Sequence, residues 1–418
     1  MAIGTGGGSA NGPGRTPYDR WFRYPAGYSP STLEAALDAV NLTGRARVVD
    51  PFAGAGSAAV ILARRGHSLL GIEAHPEIAE LARLKTTGIR NPERIEADAR
   101  AVLAVLSTSD TAGETELVRR SFSPEALSVL VAIRDTLQSH PRRRTAKYLK
   151  WCLLGALRDC ANVQVRWPYQ RPAVKRKPRM VDPARAFLRR ASWMAADLST
   201  APTEGGSTVV HGDARVPGTW KRLLPAHRAD ALVTSPPYMN NFDYADATRL
   251  EMFFWGVAES WSDMTTQVRR QMLTATTQQS SRRGASEALD ALQSFAPRTT
   301  PTLQVLVRQL AHERSLRKRG KEYDQVLVPY FAGMSRVFRN AHAFLKAGAH
   351  VVLIVGDSAP YGVHIDTPGL LASVAQETGF IVRDIRLIRE RGARWSGNTA
   401  RHQSPLSEKM VMLAAPRT

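Results

Sequence analysis

The stretch RARVVDPFAGAGSAAVILARRGHSLLGIE, residues 45–73, changes its backbone pattern three times in one short span. Residues 46–49 are a β-prone run, 50–56 are rich in backbone breakers, 57–64 carry a helical period, and 68–72 are β-prone again. That order predicts a βαβ unit, because neighbouring parallel strands need a crossover helix. A helix over 77–85 follows, yet the next strand of matching character, 208–211, comes more than a hundred residues later, so a segment is inserted between them. The alternation resumes at 231–234, 351–355 and 380–388. The expected fold class is α/β, a Rossmann-like sheet with helices on both faces and helical basic insertions.

The first insertion, 91–205, is helical in period over 126–136 and 146–161, then turns irregular and basic through VRWPYQRPAVKRKPRM, residues 165–180. Between Arg134 and Arg190, sixteen Lys/Arg face three acids, Asp135, Asp159 and Asp182, so much of the chain's excess charge sits here. A charge run alone is usually a solvated face. Aromatics interleaved with the charge favour a nucleic-acid surface, since rings stack on bases while cations hold phosphates. The candidates are Arg166, Trp167, Lys175, Arg176, Lys177 and Arg179. A second helical, basic insertion spans 257–325, and residues 1–16 read as a flexible Gly-rich tail. The α/β domain is then assembled from 17–90, 206–256 and 326–418.

Over 418 residues, 57 Lys+Arg against 37 Asp+Glu leave a formal charge of +20, which makes nucleic acid the first partner to expect. Hydrophobic residues at 43% and charged residues at 22% exclude a wholly disordered or collagen-like chain. Two cysteines, Cys152 and Cys160, exclude a disulfide scaffold and an all-cysteine zinc ribbon, and fit a reduced, cytoplasmic setting. No apolar run approaches the ~18 residues of a membrane span, so a soluble protein is expected. His67, His75 and His211 lack the spacing of a zinc site, and no metal is expected.

Gly54-Ala55-Gly56-Ser57-Ala58-Ala59, with Glu73 at the end of the next strand, satisfies the loose G-x-G-x-x-G/A pattern. Such glycines let backbone approach a ligand at a helix N-terminus, and Glu73 can accept from ribose hydroxyls; a purely structural glycine turn is the plainer reading. Both features serve NAD and S-adenosylmethionine alike. The spacer 50–53 argues against NAD, because a dinucleotide loop runs almost directly from strand to first glycine. Asp50 places a carboxylate where an ammonium would be welcome. S-adenosylmethionine carries an ammonium and no phosphate.

The segment ADALVTSPPYMNNFDY, residues 229–244, sets Thr234-Ser235-Pro236-Pro237-Tyr238 directly after an apolar strand. Paired prolines predict a stiff loop at the strand's carboxyl end. An exocyclic base amine is a poor nucleophile, its lone pair being delocalised into the ring. Acceptors at the Ser235 side chain and the Pro236 carbonyl would favour a pyramidal nitrogen, and Tyr238 could stack on the base. A Pro-Pro turn with a partly buried tyrosine is the structural alternative.

Together, DPFAGAG, GIEAHP and TSPPY resemble the S-adenosylmethionine-dependent DNA amino-methyltransferases that act on cytosine N4 or adenine N6. The resemblance covers most of the chain outside the two insertions. It implies a Rossmann-like methyltransferase sheet, with Asp50, Phe52, Gly54, Gly56 and Glu73 binding the cofactor and Ser235, Pro236, Pro237 and Tyr238 forming the catalytic loop. Serine in first position is commoner among cytosine-N4 enzymes, whereas adenine-N6 enzymes usually carry Asp or Asn. WFRYPAGYSP, residues 21–30, resembles the cofactor-pocket element and adds Tyr28, although Gly27 stands where a lysine is often found. The family also implies an acid contacting the adenine amine; Asp213 is preferred to Asp98, because one short helix separates its strand from the TSPPY strand. VVLIVGDS and RERGARWSGN, residues 389–398, resemble downstream elements, with Arg389, Arg391 and Arg394 as candidates for phosphate or base contact and an edge loop of solvated arginines as the alternative.

The expected activity is therefore methylation of cytosine N4 in double-stranded DNA by base flipping, with S-adenosylmethionine as cofactor. A role in restriction-modification or phage defence would bring a cognate endonuclease or defence partner. Adenine-N6 methylation is the alternative within the class. RNA or protein-amide methylation, or nucleic-acid binding without catalysis, are the alternatives outside it.

Overall fold

The computed structural model describes all residues except 1–16, 25–28, 142, 166–171, 177–179, 201–205, 225–227, 240–242, 280, 392–404 and 418, and except the side chains of 163–165, 172–176 and 282. The strands are β1 (Arg47–Asp50), β2 (Ser68–Glu73), β3 (Val163–Val165), β4 (Pro172–Arg176), β5 (Thr208–His211), β6 (Ala229–Thr234), β7 (Leu345–Gly356), β8 (Ile381–Arg391) and β9 (Leu406–Ala414). Seven of them make one sheet in the order β5-β2-β1-β6-β7-β9-β8. The pairs β5/β2, β2/β1, β1/β6 and β6/β7 are parallel; β9 alone runs against the rest, between β7 and β8.

Alternate residues of the central strands enter opposite cores, as the two-residue period of a strand dictates. Val49, Leu232, Val351, Leu353 and Val355 pack on one face against the helices Pro217–Leu223 and Asp324–Phe344. Val48, Ala231, Val233, Val352 and Ile354 pack on the other against Pro30–Val40 and Ser57–Arg64. With both faces covered, the strands read as unbroken apolar runs. This is the Rossmann-like sheet with helices on both sides that the βαβ pattern predicted.

Helices between β2 and β5, Glu93–Ala104, Glu116–Ser121, Pro124–Ser139, Ala146–Cys160 and Pro183–Ser199, share a separate core with Tyr18, Trp21 and Phe22 and with the outer face of Pro76–Thr87. One expectation is corrected here. The basic stretch 165–180 is not irregular throughout, because β3 and β4 pair as an antiparallel ribbon. The β-prone valines Val163, Val165 and Val174 outweigh the prolines, which an edge strand tolerates.

The helical core reaches the segment after β6. Leu250 and Phe254 belong to it, Arg158 Nε donates to Glu251 Oε1 at 2.7 Å, and His75 Nε2 lies 2.8 Å from Thr248 Oγ1. The chain leaving the TSPPY loop is thereby tied to the helices beside β2. No described helix is long and apolar enough to cross a membrane.

Candidate active site

In an open α/β sheet, the crevice forms where neighbouring strands send their chains to opposite sides. Here that point lies between β1 and β6, and their carboxyl ends carry the glycine loop and the TSPPY loop. A cavity of about 250 Å³ opens there, lined by both loops. Phe52, Gly54, Glu73 and Asp213 line it, as do Ser235, Pro236, Pro237 and Tyr238.

The glycine loop is built by backbone geometry. Gly54 and Gly56 have φ of +53° and +77°. At Gly56 a Cβ would meet Ala82 Cα at 3.0 Å, so glycine serves both the turn and the close packing of two helices. Gly56 therefore does not line the cavity. Nor does Asp50, which is fully buried and accepts from Thr234 Oγ1 at 2.6 Å and Phe52 N at 3.0 Å. It joins the ends of β1 and β6 beneath the cavity.

Glu73 caps the glycine loop from the side. Its carboxylate accepts from Gly54 N at 2.8 Å and His75 N at 2.7 Å. Burial pushes its pKa up to about 7, against the pull of those two amides. His75 is itself pushed down to about 3, by burial first and then by His211 and Lys150, so it stays neutral.

Asp213 sits on the wall, where Trp220 Nε1 (2.7 Å) and Asn340 Nδ2 (3.0 Å) both donate to the next residue's carbonyl, Ala214 O. Arg215 grips the Asp213 carboxylate through Nε and Nη2, at 2.8–3.0 Å. Asp98 lies elsewhere, on the helix Glu93–Ala104 with Thr145 donating to it.

Tyr238 is bound from several sides. Its phenol donates to Glu408 Oε1 at 2.5 Å, the Ser235 hydroxyl bonds it as well, and the Arg391 guanidinium lies 5.2 Å from its ring centroid. Burial first, and the Glu408 carboxylate next, raise the phenol well above its usual pKa, so it remains a donor. Arg389 Nε neutralises Glu408 at 2.7 Å. Farther round, Asp243 accepts from Arg269 Nε at 2.9 Å, which brings Gln271, Met272 and Leu273 onto the cavity wall.

Sequence reasoning missed Glu408, Arg215, Tyr24, Tyr244 and the segment around Met272. Glu408 belongs to β9, the strand that runs against its neighbours in the seven-stranded sheet, and no local pattern announces its place between β7 and β8. Tyr24 lies within WFRYPAGYSP, a segment already singled out. Arg391, a candidate for phosphate or base contact, lines the cavity. Tyr28, Arg166, Trp167, Lys177, Arg179 and Arg394 lie outside the described residues, and of Lys175 and Arg176 only the β4 backbone is described. Among the described residues, no group of three or more His, Cys, Asp or Glu could hold a metal ion.

No protein-family model matches the chain. Two curated relatives are the Type II methyltransferases M.AvaI of Nostoc sp. (strain PCC 7120 / SAG 25.82 / UTEX 2576) and of Anabaena variabilis. Each is 25% identical over 406 residues, covering 89% of this chain and 81% of its own. The Type II methyltransferase M.BsoBI of Geobacillus stearothermophilus is 22% identical over 420 residues, covering 89% and 80%. Among solved structures, the rRNA methyltransferase aviRa from Streptomyces viridochromogenes is 11% identical with a TM-score of 0.31, covering 98% of this chain and 91% of its own. That last likeness is too loose to carry an argument.

Proposed function

We propose that this chain is an S-adenosylmethionine-dependent DNA methyltransferase acting on the exocyclic N4 amine of cytosine in double-stranded DNA. The observation that carries the reading is the convergence of the glycine loop, Glu73 and Asp213 with Ser235–Tyr238 on one cavity at the sheet's switch point. The Type II methyltransferases among its relatives support the same class.

The residues fit a cofactor without phosphate. The Gly54 N–H, which a pyrophosphate would need, is taken by the Glu73 carboxylate. Glu73 would hold the ribose hydroxyls, Asp213 the adenine amine, and Phe52 and Tyr24 would supply apolar wall. When bound, S-adenosylmethionine supplies an electrophilic methyl group on its sulfonium.

The chain's own contribution is positioning and charge stabilisation. Unstacking the target base costs a few kcal/mol, offset by phosphate contacts from the basic surface. Tyr238, held by Glu408, supports the extruded base. Ser235 Oγ and the Pro236 carbonyl accept from the amine and stabilise its developing positive charge. A neutral serine where adenine enzymes usually carry Asp or Asn favours cytosine.

In this reading residues 17–90, 206–256 and 326–418 form the catalytic domain, 91–205 is the candidate DNA-recognition region, and 257–325 is a second insertion. The work is that of restriction-modification or phage defence, beside a cognate endonuclease or defence partner. The test is mass spectrometry of nucleosides from duplex DNA treated with the protein and S-adenosylmethionine. N4-methylcytosine is expected. N6-methyladenine alone overturns the choice of base and keeps the class; methylation of RNA and not of DNA overturns the substrate. No transfer, with no cofactor binding in calorimetry, overturns the enzyme.

A further inference from the structure

We infer that the basic turn at residues 316–321 is a docking surface for the phosphate backbone of duplex DNA, at the same edge of the sheet as the TSPPY loop. This rests on the reading above and adds a surface to it.

Topology places the turn at that edge twice over. It precedes the helix Asp324–Phe344, which leads directly into the start of β7, so the beginning of that helix stands at the carboxyl end of β7. It is also fastened to Tyr361, four residues beyond Asp357, a reach of at most about 14 Å. Asp357 marks the rim of the candidate site, since its carbonyl accepts from Arg391 Nη1 at 3.2 Å and Arg391 lies over Tyr238.

The fastening is specific. Tyr361 is one of three described non-glycine residues with positive φ, at +58°. Its hydroxyl receives the Lys321 N–H and donates to the Lys321 carbonyl at 3.0 Å. Its ring lies 4.2 Å from the Arg317 guanidinium and 4.8 Å, centroid to centroid, from Tyr323. At Gly320 a Cβ would strike Arg314 Cγ at 2.6 Å, so the turn folds tightly back on the helix before it. A solvated charge run needs no such clamp; a surface that must present charge in one place does.

The acids nearby are engaged by Arg314 and Arg317. Arg314 pairs with Glu322 and Asp324, each at 3.1 Å, and Arg317 with Glu313 at 2.8 Å. Exposed Lys318 and Arg319 form no ion pair among the described residues. Two uncompensated cations at the edge of the sheet that carries the TSPPY loop suit the polyanion on either side of a flipped nucleotide.

The test compares two double variants of the full chain that lose the same charge. Lys318→Ala/Arg319→Ala removes the turn's cations. Arg383→Ala/Arg417→Ala removes two exposed cations at the opposite edge, where β8 begins and β9 has ended. Duplex DNA affinity is measured across a salt series, with S-adenosylmethionine affinity and Tm alongside. The turn variant should flatten the log–log salt dependence by about 0.9 for each phosphate that is no longer neutralised, with cofactor affinity and Tm unchanged, while the control keeps the wild-type slope. Tyr361→Phe, which frees the Lys321 backbone, should weaken DNA binding in the same direction and by less. Equal slopes for the two double variants overturn the docking surface while leaving the enzyme intact. A wild-type protein that neither binds nor methylates duplex DNA overturns the reading beneath it.

Discussion

The Tyr238 phenol donates to Glu408 Oε1 at 2.5 Å, so the tyrosine of the proposed catalytic loop on β6 is held by a carboxylate from the antiparallel strand β9. Glu408 is 6% exposed and shared with Arg389. Its role is to position Tyr238. Hydrogen bonds to charged groups are worth about 1.5–3 kcal/mol, so Glu408→Ala should lower single-turnover methyl transfer roughly 10- to 100-fold. Glu408→Gln keeps an acceptor for the phenol and should recover much of that loss. Cofactor affinity should be unchanged in both; an equal loss of cofactor binding would mark Glu408 as structural.

Tyr238→Ala removes the support for an extruded base. Base–aromatic stacking is worth about 1–3 kcal/mol, and transfer should fall by the corresponding factor while S-adenosylmethionine affinity, read by calorimetry, stays near wild type. Ser235→Ala should slow the step without abolishing it, because the Pro236 carbonyl remains as an acceptor. Full activity in the tyrosine variant would remove the loop from catalysis.

Glu73 gives the site a pH dependence whose sign follows from burial. Its pKa is raised from the ordinary 4.5 to about 7, so ionising it costs the free protein. The stability this group contributes is full below 4.5 and is lost as pH rises through 7. A ribose diol favours the ionised carboxylate. Binding of S-adenosylmethionine should therefore release a proton and tighten as pH rises through about 7, then level off. Glu73→Gln should abolish that dependence, and calorimetry in buffers of different ionisation enthalpy reports the proton directly.

Gly56→Ala tests the packing under the glycine loop. With φ at +77° and a Cβ 3.0 Å from Ala82 Cα, backbone strain of about 1–3 kcal/mol adds to a steric clash that backbone alone can relieve. Tm should drop. Gly44→Ala, at φ +62° with nothing within 4 Å, carries strain without the clash and should drop it less.

Arg215→Ala should leave the fold intact and unmask the Asp213 carboxylate, which the guanidinium grips through Nε and Nη2. If Asp213 receives the adenine amine, losing this competitor should tighten cofactor binding, whereas Asp213→Ala should weaken it. Calorimetry of both variants checks the pair; identical affinities would take Asp213 out of the cofactor site.

Local sequence determined the α/β alternation and the two loops. In β1, β2 and β6 the apolar runs are continuous because both faces of the sheet are covered, and β1 and β6 are followed within two residues by Pro51 and Pro236, whose fixed φ acts locally. The helix Ser57–Arg64 and the strand Thr208–His211 have the bounds their patterns predicted. The same locality placed Gly54, Glu73 and Ser235–Tyr238 at strand ends as candidates, while Asp213 came from the family resemblance; all of them line the one cavity. Tertiary structure alone decided what surrounds them. Asp50 carries the same motif signature as its neighbours, yet it lies beneath the cavity bonded to Thr234, a partner 184 positions away. Glu408 reaches Tyr238 across 170 positions, and only because β9 enters the sheet between β7 and β8. Periodicity records which face of an element is buried, since that depends on neighbours one turn or two residues away. Which distant carboxylate meets which hydroxyl depends on strand order, and strand order is set by packing the whole sheet at once.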